Sequence, residues 1–342
     1  MIVTFEAGIP DRVVDNLTIE AKRLLIGCRS LRFADGSVAI GFDRTLPPDL
    51  LEGLAASQVH PAHRPYMLAT SEHRRQSLVR VGDVEFGGDD PVLIAGPCVV
   101  ESRERMVEAA IAVRHAGAQM LRGGAFKPRT SPYSFQGHGE EGLQMLADAR
   151  YATGLPFVTE VLEPEQVGLV AEYADMLQIG ARNMANTPLL KKAARAGKPI
   201  LLKRGFSATI DEGMMAAEYV LSEGNPNVVL CERGIRGFDP AVRFNLDLNA
   251  VPLARQLTHL PVIVDPSHGT GLRSLVRPMA LAGIAAGAHG LIIEAQPDPD
   301  SAICDGYQTI STEELATIKR KMTLLGQALA DEPVDSDLLV HA

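Results

Sequence analysis

From Pro91 onward the chain repeats one unit: a short apolar run, then a longer stretch with helical spacing. The runs are PVLIAGP, QMLRGG, PFVTEV, MLQIGA, PILLKRG, VVLCERG, PVIVDPS and GLIIEA, eight in all. Near-continuous apolar runs mark strands buried on both faces, the condition of a parallel sheet. Seven helical stretches separate the runs, and an eighth follows over about residues 311–330. This strict alternation predicts an α/β fold, a (β/α)8 TIM barrel over residues 91–330. A doubly wound sheet is the competing fold; it usually opens with a glycine-rich nucleotide loop after its first strand. Here the first run ends in Ala95-Gly96-Pro97-Cys98, which is no such loop.

Residues 1–68 have a different texture. MIVTFEA patterns as a strand, PDRVVDNLTIEAKRLLI as an amphipathic helix, and CRSLRF and SVAIGF as a hairpin about a DG turn. PPDLLEGLAAS, opened by prolines, is a second helix. A short strand near Val59 completes β-α-β-β-α-β, so a small ferredoxin-like α+β domain is expected in front of the barrel. Residues 69–90 read as a polar linker and a hairpin about Gly82-Asp83. The tail, residues 331–342, is acidic and expected to fray.

Composition narrows the function. A formal net charge of -9 repels nucleic acid and anionic membrane, so an anionic substrate needs a local basic pocket. No apolar run approaches the ~20 residues of a membrane helix, and the N-terminus lacks the basic-then-apolar order of a signal peptide. The four cysteines are scattered with no C-x-x-C pair, which fits a reducing, cytoplasmic compartment.

The chemistry is expected where barrel sites gather, at the C-terminal ends of the strands. Two sets of side chains meet there. Arg122, Lys127, Arg129, Arg182, Lys203 and Arg233 form a cationic set. Arginine forks and lysine point charges suit phosphate and carboxylate, and six cations in one cleft should repel one another until several anionic groups bind. Cys98, His268, Glu294 and Asp305 come from strands 1, 7 and 8 and the loop beyond, neighbours in a closed barrel. A thiolate, an imidazole and two carboxylates can hold a borderline divalent ion such as Mn, Fe, Co or Zn. Spacing alone leaves this open, since a lone Cys98 is more often a small buried hydrophobe.

The runs AGPC (95–98), LRGGAFKPRTSPYSFQG (121–137), QIGARNM (178–184), LLKRG (201–205), CERGIR (231–236) and VDPSHGTG (264–271) resemble 3-deoxy-D-arabino-heptulosonate-7-phosphate (DAHP) synthases, nearest the type Iβ subgroup. The resemblance spans about residues 80–325. It implies condensation of phosphoenolpyruvate with erythrose 4-phosphate, with Cys98, His268, Glu294 and Asp305 as metal ligands. It also implies Arg122, Lys127, Arg182, Lys203, Arg233 and His268 on phosphoenolpyruvate, and Arg129, Thr130 and Ser131 on the sugar phosphate. Asp265 would lie near the sugar hydroxyls. Lys127, His268 and Cys98 would carry the chemistry, Lys127 as a proton donor. A homotetramer and a front domain that senses tyrosine or phenylalanine are implied as well. The related 3-deoxy-D-manno-octulosonate 8-phosphate synthases typically carry a KANRSS-like run where this chain has KPRTSP, so the four-carbon sugar is favoured. A catalytically silent barrel is disfavoured by the full set of site residues. A Schiff-base aldolase built on Lys203 is disfavoured by the metal set and by Arg204. Three departures stand out: Glu294-Ala295-Gln296-Pro297 where Glu-Val-His-Pro is usual, Cys304-Asp305-Gly306 where Ser-Asp-Gly is usual, and FDPAVRFNLDLNAVP where a run with Asn-Thr precedes Leu-Asp.

Overall fold

A computed structural model of the chain describes residues 1–52, 57–129 and 131–330. The N-terminal elements are β1 (Ile2–Phe5), α1 (Asp11–Arg23), β2 (Cys28–Arg32), β3 (Val38–Phe42), α2 (Pro48–Glu52) and β4 (Ser57–His60). Their sheet has the order β2-β3-β1-β4, and every pair is antiparallel. β1 and β2 therefore run the same way with β3 between them, the split β-α-β arrangement that the hydrophobic pattern predicts. The second helix is expected to run on to Ser57, but residues 53–56 lie outside the described residues. So does the tail 331–342.

Period-2 alternation gives this small sheet two apolar faces. Val3, Phe5, Val38, Ile40 and Phe42 pack with Val14, Leu17 and Ala21 of α1. Ile2, Leu31, Phe33 and Ala39 belong instead to the core that runs on into the barrel. Gly41 is needed at this joint, because a Cβ there would sit 2.9 Å from Cβ of Met67.

The barrel strands are β7 (Val92–Gly96), β8 (Met120–Arg122), β9 (Phe157–Glu160), β10 (Met176–Ile179), β11 (Ile200–Lys203), β12 (Val228–Glu232), β13 (Val262–Val264) and β14 (Gly290–Glu294). They are parallel and close in sequence order, β14 on β7. Between and after them come α3 (Arg103–His115), α4 (Glu140–Thr153), α5 (Val167–Tyr173), α6 (Thr187–Arg195), α7 (Ile210–Leu221), α8 (Ala250–Leu257), the short α9 (Pro266–Thr270), α10 (Arg273–Ala285) and α11 (Thr312–Ala330). A hairpin, β5 (Val79–Val81) and β6 (Val84–Phe86), precedes β7. Its Val79, Val81 and Phe86 cluster with the inward residues Ile94, Met120, Val158, Met176, Leu201, Val229, Ile263 and Ile292, so the hairpin plugs the floor.

Two positions along each strand from that inward layer lie Gly96, Arg122, Glu160, Gln178, Lys203, Cys231, Asp265 and Glu294. The same parity that builds the apolar floor thus builds a polar roof. Gly96 is required by close approach: a Cβ there would fall 2.1 Å from the carbonyl oxygen of Arg122.

The linker is held to the barrel by α7. Glu218 accepts the backbone N–H groups of Met67, Leu68 and Ala69 at 2.9–3.0 Å, and Tyr66 donates to Asp211 at 3.2 Å. Behind it His259 bonds Ser77 Oγ at 2.8 Å and the Leu68 carbonyl at 2.7 Å, with His73 and Phe33 beside it. Burial pushes His259 down to about 3 and His73 to about 4, from the ordinary 6.5. Below 6.5 the unfolded chain binds protons that the folded chain refuses, so stability is full above that pH and falls as pH drops toward 4. A series of thermal melts should show a flat midpoint above pH 6.5 and a decline through this window, less steep in His259→Gln. An equally steep decline in that variant would show that other groups cause it.

Candidate active site at the barrel mouth

Of the roof residues Arg122, Glu160, Gln178 and Lys203 open into one cavity of about 310 Å³, which is lined further by residues that follow the strands, among them Cys98, Arg182, Arg233, His268 and Asp305. All six predicted cations line it. The repulsion expected among them is largely relieved, because the same roof supplies carboxylates. Arg122 Nη1 meets Glu294 Oε1 at 2.7 Å, Lys203 Nζ meets Asp265 Oδ2 at 2.5 Å, and Lys127 Nζ meets Asp305 Oδ2 at 3.2 Å. Arg129 reaches Cys304 Sγ. Among the described residues the other three of the six, Arg129, Arg182 and Arg233, meet no carboxylate; Arg129 is turned to Cys304, which leaves Arg182 and Arg233 for an incoming anion.

Electrostatics keeps these carboxylates ionised. Burial alone would raise Glu294, but His268, Arg122 and Lys127 outweigh it and hold it at about 2. Burial likewise would raise Asp265, but the His268 ring and backbone N–H groups and the Lys203 ammonium hold it well below the usual carboxylate range. At Asp305 Lys127 overcomes burial in the same sense. Lys127 itself would be lowered by burial, yet Cys98, Glu294 and Asp305 raise it above the usual lysine value, so it stays an ammonium.

His268 follows from local sequence. Pro266 starts α9, and Asp265 caps it by accepting the backbone N–H of His268 at 2.9 Å. The other oxygen of Asp265 takes His268 Nδ1 at 2.7 Å. With Nδ1 donating, the lone pair of Nε2 faces Glu294 Oε1 at 3.3 Å. Two acceptors so placed call for a cation or a proton between them. The structure fits a metal on that ground, and on the orienting carboxylate behind the imidazole. Ligand atoms of His268, Glu294 and Asp305 lie within 4.8 Å of one another, as do those of Cys98, Cys304 and Asp305. The four predicted ligands, joined by Cys304, therefore fall into two triads that share Asp305.

Three expectations need adjustment. Asp265 does not face the cavity: it is 1 % exposed, and its oxygens are spent on Lys203 and His268. It is placed to orient those two groups. Glu294 lies behind His268 and also accepts Gln308 Nε2 at 2.6 Å. Thr130 lies outside the described residues, while its neighbour Ser131 is exposed at the mouth.

Some lining residues escaped the sequence reading. Glu160 and Gln178, joined at 3.2 Å, share the roof parity of Arg122 and Lys203, and that signal could have found them. Gly180 leaves room for this carboxylate, since a Cβ would fall 1.9 Å from Glu160 Oε1. Arg243, Phe244 and Tyr307 come from loops, where no period points to the mouth. The Arg233 guanidinium lies 4.2 Å from the Phe244 ring centroid, and Phe206 packs 5.8 Å from the same ring.

Residues 67–330 match the sequence model of the DAHP synthetase I family. The chain is similar to a phospho-2-dehydro-3-deoxyheptonate aldolase of Thermotoga maritima, 44% identical over 333 residues that cover 96% of this chain and 98% of the relative. It is also similar to a 2-dehydro-3-deoxyphosphooctonate aldolase of Bradyrhizobium diazoefficiens, 36% identical over 75% of this chain and 96% of the relative. The crystal structure of the Thermotoga maritima DAHP synthase superposes with a TM-score of 0.76 at 42% identity, covering 96% of this chain and 97% of that one. A truncated form of the enzyme superposes with a TM-score of 0.72 and covers 77% of this chain.

Proposed function

Because the chain belongs to the DAHP synthetase I family, we propose that it joins phosphoenolpyruvate to erythrose 4-phosphate and water, giving DAHP and phosphate, the entry to the shikimate pathway. One observation carries the reading: cations without carboxylate partners, Arg182 and Arg233, share a cavity with Cys98, His268 and Asp305, and Glu294 is buried beside His268. The heptonate relative's match covers 96% of the chain at 44% identity, whereas the octulosonate relative matches 75% of it at 36% identity, which favours the four-carbon sugar.

Arg182, Arg233, Lys203 and Arg122 would pin the carboxylate and phosphate of phosphoenolpyruvate. Arg129 and Ser131, and Thr130 beside them, would hold the sugar phosphate. Cys98, His268, Glu294 and Asp305 would hold a divalent ion, Mn, Fe, Co or Zn, which supplies Lewis acidity toward the aldehyde carbonyl when bound. Lys127, kept an ammonium, donates a hydrogen bond to the oxygen that gains negative charge as C3 of phosphoenolpyruvate attacks. Water then adds at C2 and phosphate leaves. Holding two reactants face to face is the largest contribution.

The test is phosphate release from phosphoenolpyruvate with erythrose 4-phosphate or arabinose 5-phosphate, with and without EDTA. Turnover with the four-carbon sugar alone, lost with EDTA and restored by Mn, is the expected result. Turnover with the five-carbon sugar alone would reassign the substrate, and none with either would leave a silent barrel. Phe244→Leu keeps the apolar contact with Arg233 but removes the π face, worth roughly 0.5–2 kcal/mol. The KM for phosphoenolpyruvate should rise by roughly two- to thirtyfold with kcat little changed, and Phe244→Tyr should restore it.

The front domain reads as an aromatic amino acid sensor, and the assembly as a homotetramer in the cytoplasm. Among the described residues no helix is long and apolar enough to cross a membrane. A deletion that tests the sensor should stop before Tyr66, since Tyr66 and residues 67–69 are bonded to α7. Activity without inhibition by tyrosine or phenylalanine is the expected outcome, and light scattering reads the assembly.

A further inference from the structure

The two donor triads at the mouth differ in chemistry. His268, Glu294 and Asp305 supply nitrogen and oxygen, while Cys98, Cys304 and Asp305 supply two sulfurs and oxygen. Cys304 is not accounted for by the reading above, in which Cys98 is the one thiolate. It is 5 % exposed, and the buried apolar cluster it belongs to contains only Cys98 and Val99. Hydrophobic filling is a weak account of it, because its sulfur also faces the guanidinium of Arg129. Lys127 Nζ lies 2.7 Å from Cys98 Sγ. Each thiol thus has its own cation, the arrangement that suits thiolates.

The backbone points the same way. Asp305 has a φ of 54°, in the left-handed region that a non-glycine residue seldom occupies. Strained conformations of this kind persist where the surroundings hold them, and they gather at functional sites. Here the turn lets consecutive side chains, Cys304 and Asp305, both approach Cys98, whose Sγ lies 3.1 Å from Asp305 Oδ2.

We propose that Cys304 is a second thiolate ligand, so that the divalent ion at this mouth is held by two sulfurs together with Asp305. The inference rests on the metal reading of the site and extends it. Thiolate ligands select soft and borderline ions, whereas carboxylate and water suit Mn and Mg. A two-sulfur set therefore shifts this chain toward Zn, Fe(II) or Co and away from Mn.

The test uses the full chain, stripped by chelator, kept reduced and loaded with Co(II) alone. Near-ultraviolet thiolate-to-cobalt absorption counts sulfurs without any turnover. Cys304→Ser and Cys98→Ser should each keep about half of the wild-type intensity per bound cobalt, and the double variant none. In direct competition, the preference of the wild type for Cd(II) over Mn(II) should fall by at least tenfold in Cys304→Ser. Cys304→Ala is the second variant; it removes the hydroxyl that could substitute for the thiol and should behave alike. Full intensity and unchanged preference in both Cys304 variants would overturn the second thiolate while leaving the metal site standing. Failure of the wild type to bind cobalt at all would overturn both.

Discussion

Alanine at Cys98 should abolish metal-dependent turnover and leave the fold standing. Cys98 sits just beyond the end of β7, 3 % exposed, with its sulfur on Lys127 Nζ at 2.7 Å and Asp305 Oδ2 at 3.1 Å. The apolar floor built on Ile94, Met120 and the β5-β6 hairpin lies further down and loses nothing. One small side chain is removed from a polar rim, so the thermal midpoint should move little. Activity should move much more. Replacing a group that only orients a metal ligand typically costs 10–100-fold, so a direct ligand should cost more than about 100-fold. Metal content measured beside kcat separates the causes: the variant should retain less metal at equal free metal concentration. Full activity in folded Cys98→Ala would remove Cys98 from the ligand set.

How much of this site the sequence disclosed depends on periodicity. The strands were legible because a buried parallel strand is a short apolar run, and eight of them appear in order. The positions that carry chemistry were legible where they continue that run at the same parity. Ile94 leads to Gly96, Met120 to Arg122, Leu201 to Lys203, Ile263 to Asp265 and Ile292 to Glu294. The resemblance to DAHP synthases covered the KPRTS and DPSHG runs, where parity stops. Two things stayed hidden. Pairing across the roof is set by closure of the barrel, so the sequence displayed six cations but not which carboxylate each would meet. The long loop that brings Arg243 and Phe244 to the mouth has no repeating pattern, and its place is seen in the packing of Phe244 on Arg233 and the bridge between Ile235 and Asn245. Asp265 shows the same limit: its place at the end of its strand was legible, but its bonds to Lys203 and His268 were not.

Those pairings divide the cations into two kinds, and Arg122→Ala and Arg182→Ala should separate them. Arg122 is 6 % exposed and its partner Glu294 1 %. Removing one member of such a buried pair leaves the other charge uncompensated, which typically costs 3–5 kcal/mol. Glu294 keeps His268 and Gln308, so about 3 kcal/mol is expected from urea unfolding at neutral pH. The sign of the pH dependence follows from Glu294. Its folded value, about 2, lies below the ordinary 4.5, so its contribution is present above 4.5 and is lost as pH falls toward 2. The stability gap between wild type and Arg122→Ala should therefore narrow below pH 4.5. Arg182 is exposed and unpaired among the described residues, so Arg182→Ala should change stability by no more than about 0.5 kcal/mol. Its charge-assisted bonds to an anion are worth about 1.5–3 kcal/mol, so the KM for phosphoenolpyruvate should rise roughly 10- to 150-fold. Arg122→Ala should show both losses together. If Arg122→Ala were as stable as wild type, Glu294 would have to be neutral or hydrated in the folded protein, and the charge balance drawn for the roof would have to be redrawn around His268 and Lys127.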